Sequence, residues 1–350
     1  MDWLEKLRDA AQRPPDQPRM PLLWNGQVIG TVAEGFLERV GVDFLRGQRI
    51  TLTQKKTPGL GNAWSLTAPD ASFGLNALAQ LLREQGRSGP WRDEQIAVCT
   101  PQGQRVATVE RGVVRVLGVA THAVHLIGLA PDGRMWVQQR SSTKANHPDK
   151  WDTLMGGMVS ASDSLQQALA RETQEEAGLD VTQLLHLRHG GHVMFACPSD
   201  EVPGGAAYMR ERIDWFVGTV PQEVTPSNQD GEVQQFACID HETLLAWLKA
   251  GRFTPAATLV LAIIWSFNPV SFFWACKKPA RRHAGFFYFH EYFFLLKRIY
   301  EMIEALHVQC RFVRVACVVF FPSWRLRRSS GRNVWYKVQA VVKNLCYVQT

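Results

Sequence analysis

The residues best suited to chemistry lie in one stretch, Gly156 to Leu179, which runs GGMVSASDSLQQALARETQEEAGL. Arg171, Glu172, Glu175 and Glu176 fall within two helical turns, shortly after a pair of glycines. With about 3.6 residues per turn, the spacing predicts that the three carboxylates share one helix face. Glu172 and Glu176 align with Leu165 and Leu169, so that face is predicted to point to the core, while Gln167, Ala170 and Gln174 point away. Carboxylates crowded together inside a protein repel one another, and burial raises their pKa values, unless a cation joins them. Oxygen donors on a rigid helix suit a hard divalent ion, Mg²⁺ or Mn²⁺, better than zinc. The predicted metal ligands are Glu172, Glu175 and Glu176, with a backbone oxygen from the Gly156-Gly157 pair, assigned to Gly157.

Groups able to hold a phosphate precede this stretch. Arg140 ends a predicted strand, and the polar segment Ser141 to Thr153 carries Lys144 and Lys150. A guanidinium offers a fork and an ammonium a point charge, so Arg140 and Lys144 are candidate substrate-binding residues. Trp151 is a candidate for stacking on a heteroaromatic ring, with core packing as the alternative. His189 and His192 flank Gly190-Gly191 without thiolates or a third fixed ligand, which argues against zinc.

These residues need a scaffold. In chain order the sequence predicts a helix over Asp2 to Ala11, strands at Leu22 to Trp24 and Val28 to Val32 around the Asn25-Gly26 turn, and a short helix over Ala33 to Val40. A strand at Ile50 to Thr53, a helix at Leu75 to Leu82 and a hairpin of Ile96 to Thr100 with Arg105 to Val109 complete a small α+β domain, residues 1 to 115, with no catalytic constellation of its own. Residues 116 to 267 then alternate strands (Val124 to Leu129, Met135 to Gln139, Leu184 to Leu187, His192 to Ala196, Ile213 to Val220, Gln235 to Ile239) with helices at the acidic stretch, at Glu242 to Ala250 and at Ala256 to Phe267.

The acidic stretch resembles the Nudix box, G-x5-E-x7-R-E-U-x-E-E-x-G-U, where U is apolar. Gly157, Asp163, then Arg171-Glu172-Thr173-Gln174-Glu175-Glu176-Ala177-Gly178-Leu179 carry the likeness, with Asp163 in place of the first Glu and Thr173 in place of an aliphatic residue. PLLWNGQVIGTV together with VQQRSSTKANHPDKWDTLMGGMVSASDS is similar to the Nudix subgroup whose N-terminal domain, of unknown function, is related to thiamine pyrophosphokinase fusion proteins. The resemblance covers residues 1 to 267 and implies an α/β fold, the Nudix α/β/α sandwich with a mixed sheet, preceded by a small α+β domain. It also implies metal-dependent hydrolysis of a small-molecule diphosphate, with thiamine diphosphate and its oxidised derivatives as the subgroup's substrates. Nudix enzymes take a general base from the box or a later loop, which makes Glu232 the first candidate and Glu211 the second. Arg171 is expected to orient the carboxylates, giving Arg171, Glu172, Glu175 and Glu232 as the catalytic set. A weaker likeness to isopentenyl diphosphate isomerase fails where Thr153-Leu154-Met155 stands in place of that enzyme's cysteine and histidine.

Composition sets the remaining bounds. Seven cysteines without a C-x-x-C pair point to reduced thiols and a cytoplasmic location, and the first ten residues lack a signal-peptide pattern. The net charge of +7 conceals a division: residues 1 to 267 sum to −4 and residues 268 to 350 to +11. That tail holds 18 of the 36 aromatic residues and two glycines. It reads as a membrane-spanning run from Ala256, as a nucleic-acid-binding segment, or as coding carried past a natural end; the last is preferred, with no nucleic-acid or membrane partner expected. The competing function is a catalytically weak binding protein attached to membrane or RNA by that tail.

Overall fold

The computed structural model describes residues 2–41, 49–202 and 204–266, which lie in one compact unit. The expectations for residues 268 to 350 fall outside the described residues.

The leading part opens with helix α1, Asp2–Ala11, then strands β1, Arg19–Trp24, and β2, Gln27–Ala33, joined at Asn25 and Gly26 with φ of 48° and 77°. Strands β3, Thr51–Thr57, and β4, Gly61–Thr67, complete a four-stranded sheet of order β2-β1-β4-β3, in which only β1 and β4 run parallel. The expected helix over Ala33 to Val40 shrinks to one 3₁₀ turn at Glu38–Val40. Helix α2, Ala71–Glu84, is capped by Asp70, whose carboxylate accepts from the Phe73 N–H, and buries Leu75, Leu78 and Leu82 against Leu22, Ile29 and Leu66. The hairpin of β5, Gln95–Cys99, and β6, Arg105–Glu110, follows.

A seven-stranded mixed sheet forms the second half. Its strands are β7, Ala120–Leu129; β8, Met135–Arg140; β9, Trp151–Asp152; β10, Met155–Met158; β11, Leu185–Pro198; β12, Tyr208–Thr219; and β13, Val233–Ile239. The main order is β11-β12-β7-β8-β13, with β10 on β7 and β9 on β8; β12 and β7 are parallel. Side chains alternate across β7 and β12. Val124, Leu126 and Phe216 meet helix α3, Leu165–Ala177, on one face. Ile127, Ile213, Trp215 and Val217 meet helices α4, His241–Lys249, and α5, Pro255–Ser266, on the other. A mixed sheet between helices is the expected α/β/α sandwich. Where two strands were expected from Leu184 to Ala196, β11 is continuous: Gly190 and Gly191 keep the strand and lie on the Trp215 ring, where a Cβ at Gly190 would come within 1.7 Å of it.

The two halves interlock. Ala11 of α1 is buried among residues of α5 and β11, while Val202, Ala206 and Ala207 are buried in the core of the leading half. Arg115 is tied to the sheet: its Nη2 donates to Glu211 Oε2 at 2.8 Å and its Nη1 to Thr121 Oγ1 at 3.0 Å. Burial pushes the Glu211 carboxyl up, but the charge and hydrogen bond of Arg115 and the hydrogen bond from Thr121 together hold it below the usual carboxylate range. A depressed folded-state pKa means stability present at neutral pH and lost as pH falls through that folded value. Glu211→Gln should therefore lower stability at pH 7 by about 3–5 kcal/mol, the cost of breaking a buried pair. The gap between wild type and variant should close as pH drops below the ordinary carboxylate range, as read by thermal melts across pH.

Candidate active site

Helix α3 is fixed at both ends. Ser164 and Gln167 form a reciprocal capping box, and Gly178, with φ 63°, returns its N–H to the Gln174 carbonyl. The buried stripe consists of Ala168, Leu169, Glu172, Thr173, Glu176 and Ala177. The expectation that all three carboxylates face inward holds for Glu172 and Glu176. Glu175 is turned outward, its side chain 47% exposed and held by Arg171. Thr173 fits its aliphatic position by returning its hydroxyl to the Leu169 carbonyl at 2.5 Å.

Strand β10 makes room for these acids. A Cβ at Gly157 would lie 2.0 Å from Glu172 Cδ, so the carboxylate occupies the volume a side chain would need. The Gly156 N–H donates to Glu176 Oε2 at 3.1 Å, and Gln138 Nε2 donates to the same oxygen at 2.8 Å. Burial pushes Glu172 up to about 7, against the lowering effect of Arg171 and with help from Glu176 and Glu175. Glu176 is raised by burial too, against Lys144, Gln138 and Gly156.

Cations answer these charges. Arg171 Nε donates to Asp163 Oδ2 at 2.9 Å, while its Nη1 donates at 3.0 Å to both Glu172 Oε1 and Glu175 Oε2. The shorter acid at 163 thus still reaches the arginine. On the other side Lys144 Nζ lies 3.7 Å from Glu176 Oε1 and pairs with Glu232 Oε2. Glu232 is anchored by its carbonyl, which accepts from the Ser141 N–H at 2.9 Å. Glu232 is therefore brought to the acidic cluster, whereas Glu211 is engaged by Arg115 and Thr121.

Two expected substrate contacts are corrected. Trp151 is 5% exposed, its ring 4.6 Å from Trp247 and grouped with Phe253, so core packing fills the space a ligand ring would need. Arg140 spends Nε and Nη2 on the Asn146 carbonyl at 3.1 and 3.0 Å, and its Nη1 lies 4.0 Å from Asp152 Oδ2; it shapes the loop that carries Lys144. Lys150 donates to the Gly251 carbonyl, away from the acids, and His189 pairs with Asp214. Gln138 was missed: its neighbours in β8 read as an ordinary strand, and only its 1% exposure shows that this amide serves Glu176.

Among the described residues no three His, Cys, Asp or Glu side chains already converge as a metal site. The surroundings nonetheless fit a hard cation. The nearby donors are carboxylate oxygens, Gln138 Oε1 is buried without a hydrogen-bond partner, and the Lys144 ammonium bridges Glu176 and Glu232 as a positive stand-in.

Residues 120–259 match the NUDIX domain family. An uncharacterized protein of Saccharomyces cerevisiae is 27% identical over 206 residues, covering 53% of this chain and 59% of its own length. Nudix hydrolase 24, chloroplastic, of Arabidopsis thaliana is 29% identical over 228 residues, covering 63% of this chain and 59% of its own. The match thus spans 59% of the length of each of these curated relatives. A Deinococcus radiodurans crystal structure aligns at TM-score 0.36 and 18% identity, over 46% of this chain and 92% of its own.

The Gly157–Glu172 contact yields a test without any ligand. Gly157→Ala should destabilise the protein by about 1–3 kcal/mol through overpacking. In a Glu172→Ala background the same change should cost much less, which a double-mutant cycle of denaturant melts measures.

Proposed function

We propose that the Nudix domain hydrolyses a diphosphate linkage in a small molecule with the help of Mg²⁺ or Mn²⁺, and that thiamine diphosphate or an oxidised derivative, cut to the monophosphate, is its substrate. The observation that carries the reading is a pair of buried acids, Glu172 and Glu176, set against the glycine strand, with Arg171 on Glu172 and with Lys144, itself paired to Glu232, beside Glu176. Such a pair is costly to bury as anions and becomes useful when a divalent cation is shared. Glu172, Glu175 and Glu176 would hold the ion, with a backbone oxygen near Gly157. The bound ion supplies neutralisation of phosphate charge and acidifies water.

The remaining work belongs to the chain. Arg171 holds Glu172 and Glu175 and is itself held by Asp163, so it acts as a positioning residue. Lys144 leaves its two carboxylates to meet the substrate phosphate, which frees Glu232 to take the proton of the attacking water at Oε2. The thiamine assignment rests on the resemblance of the leading segment.

The full chain with Mg²⁺ should release a monophosphate from at least one member of a panel of thiamine diphosphate, oxidised thiamine diphosphates, nucleotide sugars, ADP-ribose and dinucleotides. Glu176→Gln should lower kcat by roughly a hundredfold or more, since each ~1.4 kcal/mol of lost stabilisation is tenfold in rate. Added Mg²⁺ should raise the melting temperature of the wild type strongly and that of the variant little. A Glu176→Gln protein with wild-type turnover and wild-type Mg²⁺ response overturns the assignment.

A further inference from the structure

Strand β8 sends one polar side chain to the acidic pair, and the amide of Gln138 is only partly used there. Gln138 lies where β8 is flanked by β9 and β13, opposite Asp152 on one side and Phe236 on the other, and is 1% exposed. Its Nε2 donates at 2.8 Å to Glu176 Oε2, the oxygen that also accepts from the Gly156 N–H. Its Oε1 is buried and has no hydrogen-bond partner among the described residues. Against an ionised Glu176 the amide has one orientation, since the reverse would set two oxygens facing each other at that distance.

A buried carbonyl oxygen without a donor is uncommon, because burial removes the water that would otherwise serve it. The oxygen and the nitrogen of the amide share one carbon, so Oε1 stays close to the carboxylate that holds Nε2. The other oxygen of that carboxylate, Glu176 Oε1, lies 3.7 Å from Lys144 Nζ. Glu172 fills the space over Gly157 on the same strand that gives Glu176 its N–H. Two buried anions and one neutral oxygen are therefore gathered beside β10. Side-chain amide oxygens bind hard divalent cations alongside carboxylates. A neutral oxygen also adds a donor without adding to the repulsion between the buried acids, which a third inward carboxylate would do.

We propose that Gln138 is a ligand of the divalent ion, its Oε1 binding the cation while its Nε2 holds Glu176 in place. This deepens the diphosphate reading and rests on its metal. Its consequence is that strand β8, outside the acidic helix, helps to set which ions the site accepts.

The test measures binding of Mg²⁺ and Cd²⁺ to the full chain by calorimetry, with no substrate present and with melts of the metal-free proteins to show that each variant folds. Gln138→Met keeps the length of the side chain and exchanges the amide for a thioether, a soft donor. Mg²⁺ affinity should fall roughly tenfold or more. That loss alone would not separate a ligand from a residue that only orients Glu176, since outer partners cost as much. The ratio of Cd²⁺ to Mg²⁺ affinity does separate them: it should rise about tenfold for a ligand, whereas orienting Glu176 serves both ions alike. Cd²⁺ taken up by cysteines is common to both proteins and cancels in the comparison. Gln138→Glu keeps an oxygen in place but takes the N–H from Glu176, so it should bind Mg²⁺ at least as tightly as the wild type. An unchanged ratio in Gln138→Met, weaker Mg²⁺ binding by Gln138→Glu, or no Mg²⁺ binding by the wild type overturns the proposal. The two readings fail separately. Turnover with an unchanged ratio in Gln138→Met removes Gln138 and keeps the hydrolase, whereas a shifted ratio without turnover on any diphosphate removes the hydrolase and keeps the ligand.

Discussion

The arrangement depends on one constraint: two carboxylates, Glu172 and Glu176, are buried where helix α3 crosses strand β10. Nothing apolar can satisfy them, so each surrounding element is selected for what it gives them. Strand β10 gives volume and an N–H, because a residue with a side chain at 157 would collide with the Glu172 carboxyl. Strand β8 gives the Gln138 amide. The helix gives Arg171, and the loop after β8 gives Lys144. The burial that raises both pKa values is what makes the pair responsive to a cation; the same acids on a solvated face would have little need of one.

The leading half belongs to this constraint as much as the sandwich does. A capped helix of thirteen residues could form on many scaffolds, but its entry is pinned by backbone bonds from Gln95 and by Arg105. The loop that carries Lys144 is stayed through Asn146 and Glu201, next to Arg115. Arg115 itself is anchored by Glu211 inside the sheet. The leading half is therefore tied to the helix entry at Ala161 and, through Arg115 and Glu201, to the loop that carries Lys144.

What the sequence revealed follows from how local each signal is. The box helix, the two inward glutamates and the Arg171 contacts were legible because they depend on spacing within one helix. Glu175 was misplaced because a helical wheel fixes direction and leaves out the neighbour: Arg171 draws that carboxylate outward. Trp151 and Arg140 were misassigned because their partners, Trp247 and Asp152, are brought to them only by the tertiary fold. Strand β4, Gly61–Thr67, carries no apolar run and was missed; pairing with β1 and β3 makes it a strand. Strand β10, Met155–Met158, is absent from the expected strands for the same reason, and β7 makes it a strand.

Lys144 is the chain's own cation at the edge of the acidic cluster. A single positive charge between Glu176 and Glu232 relieves part of the burial cost of Glu176, yet it leaves Glu172 raised and dependent on Arg171. A divalent ion held by the acids would bring more charge to the cluster and lessen its need for the lysine, whose own burial lowers its pKa and so penalises the charged form. A lysine freed in that way would offer its charge to a phosphate beside the acids. A loop tethered through Asn146 limits how far that ammonium can travel, which keeps it beside the acids it has left.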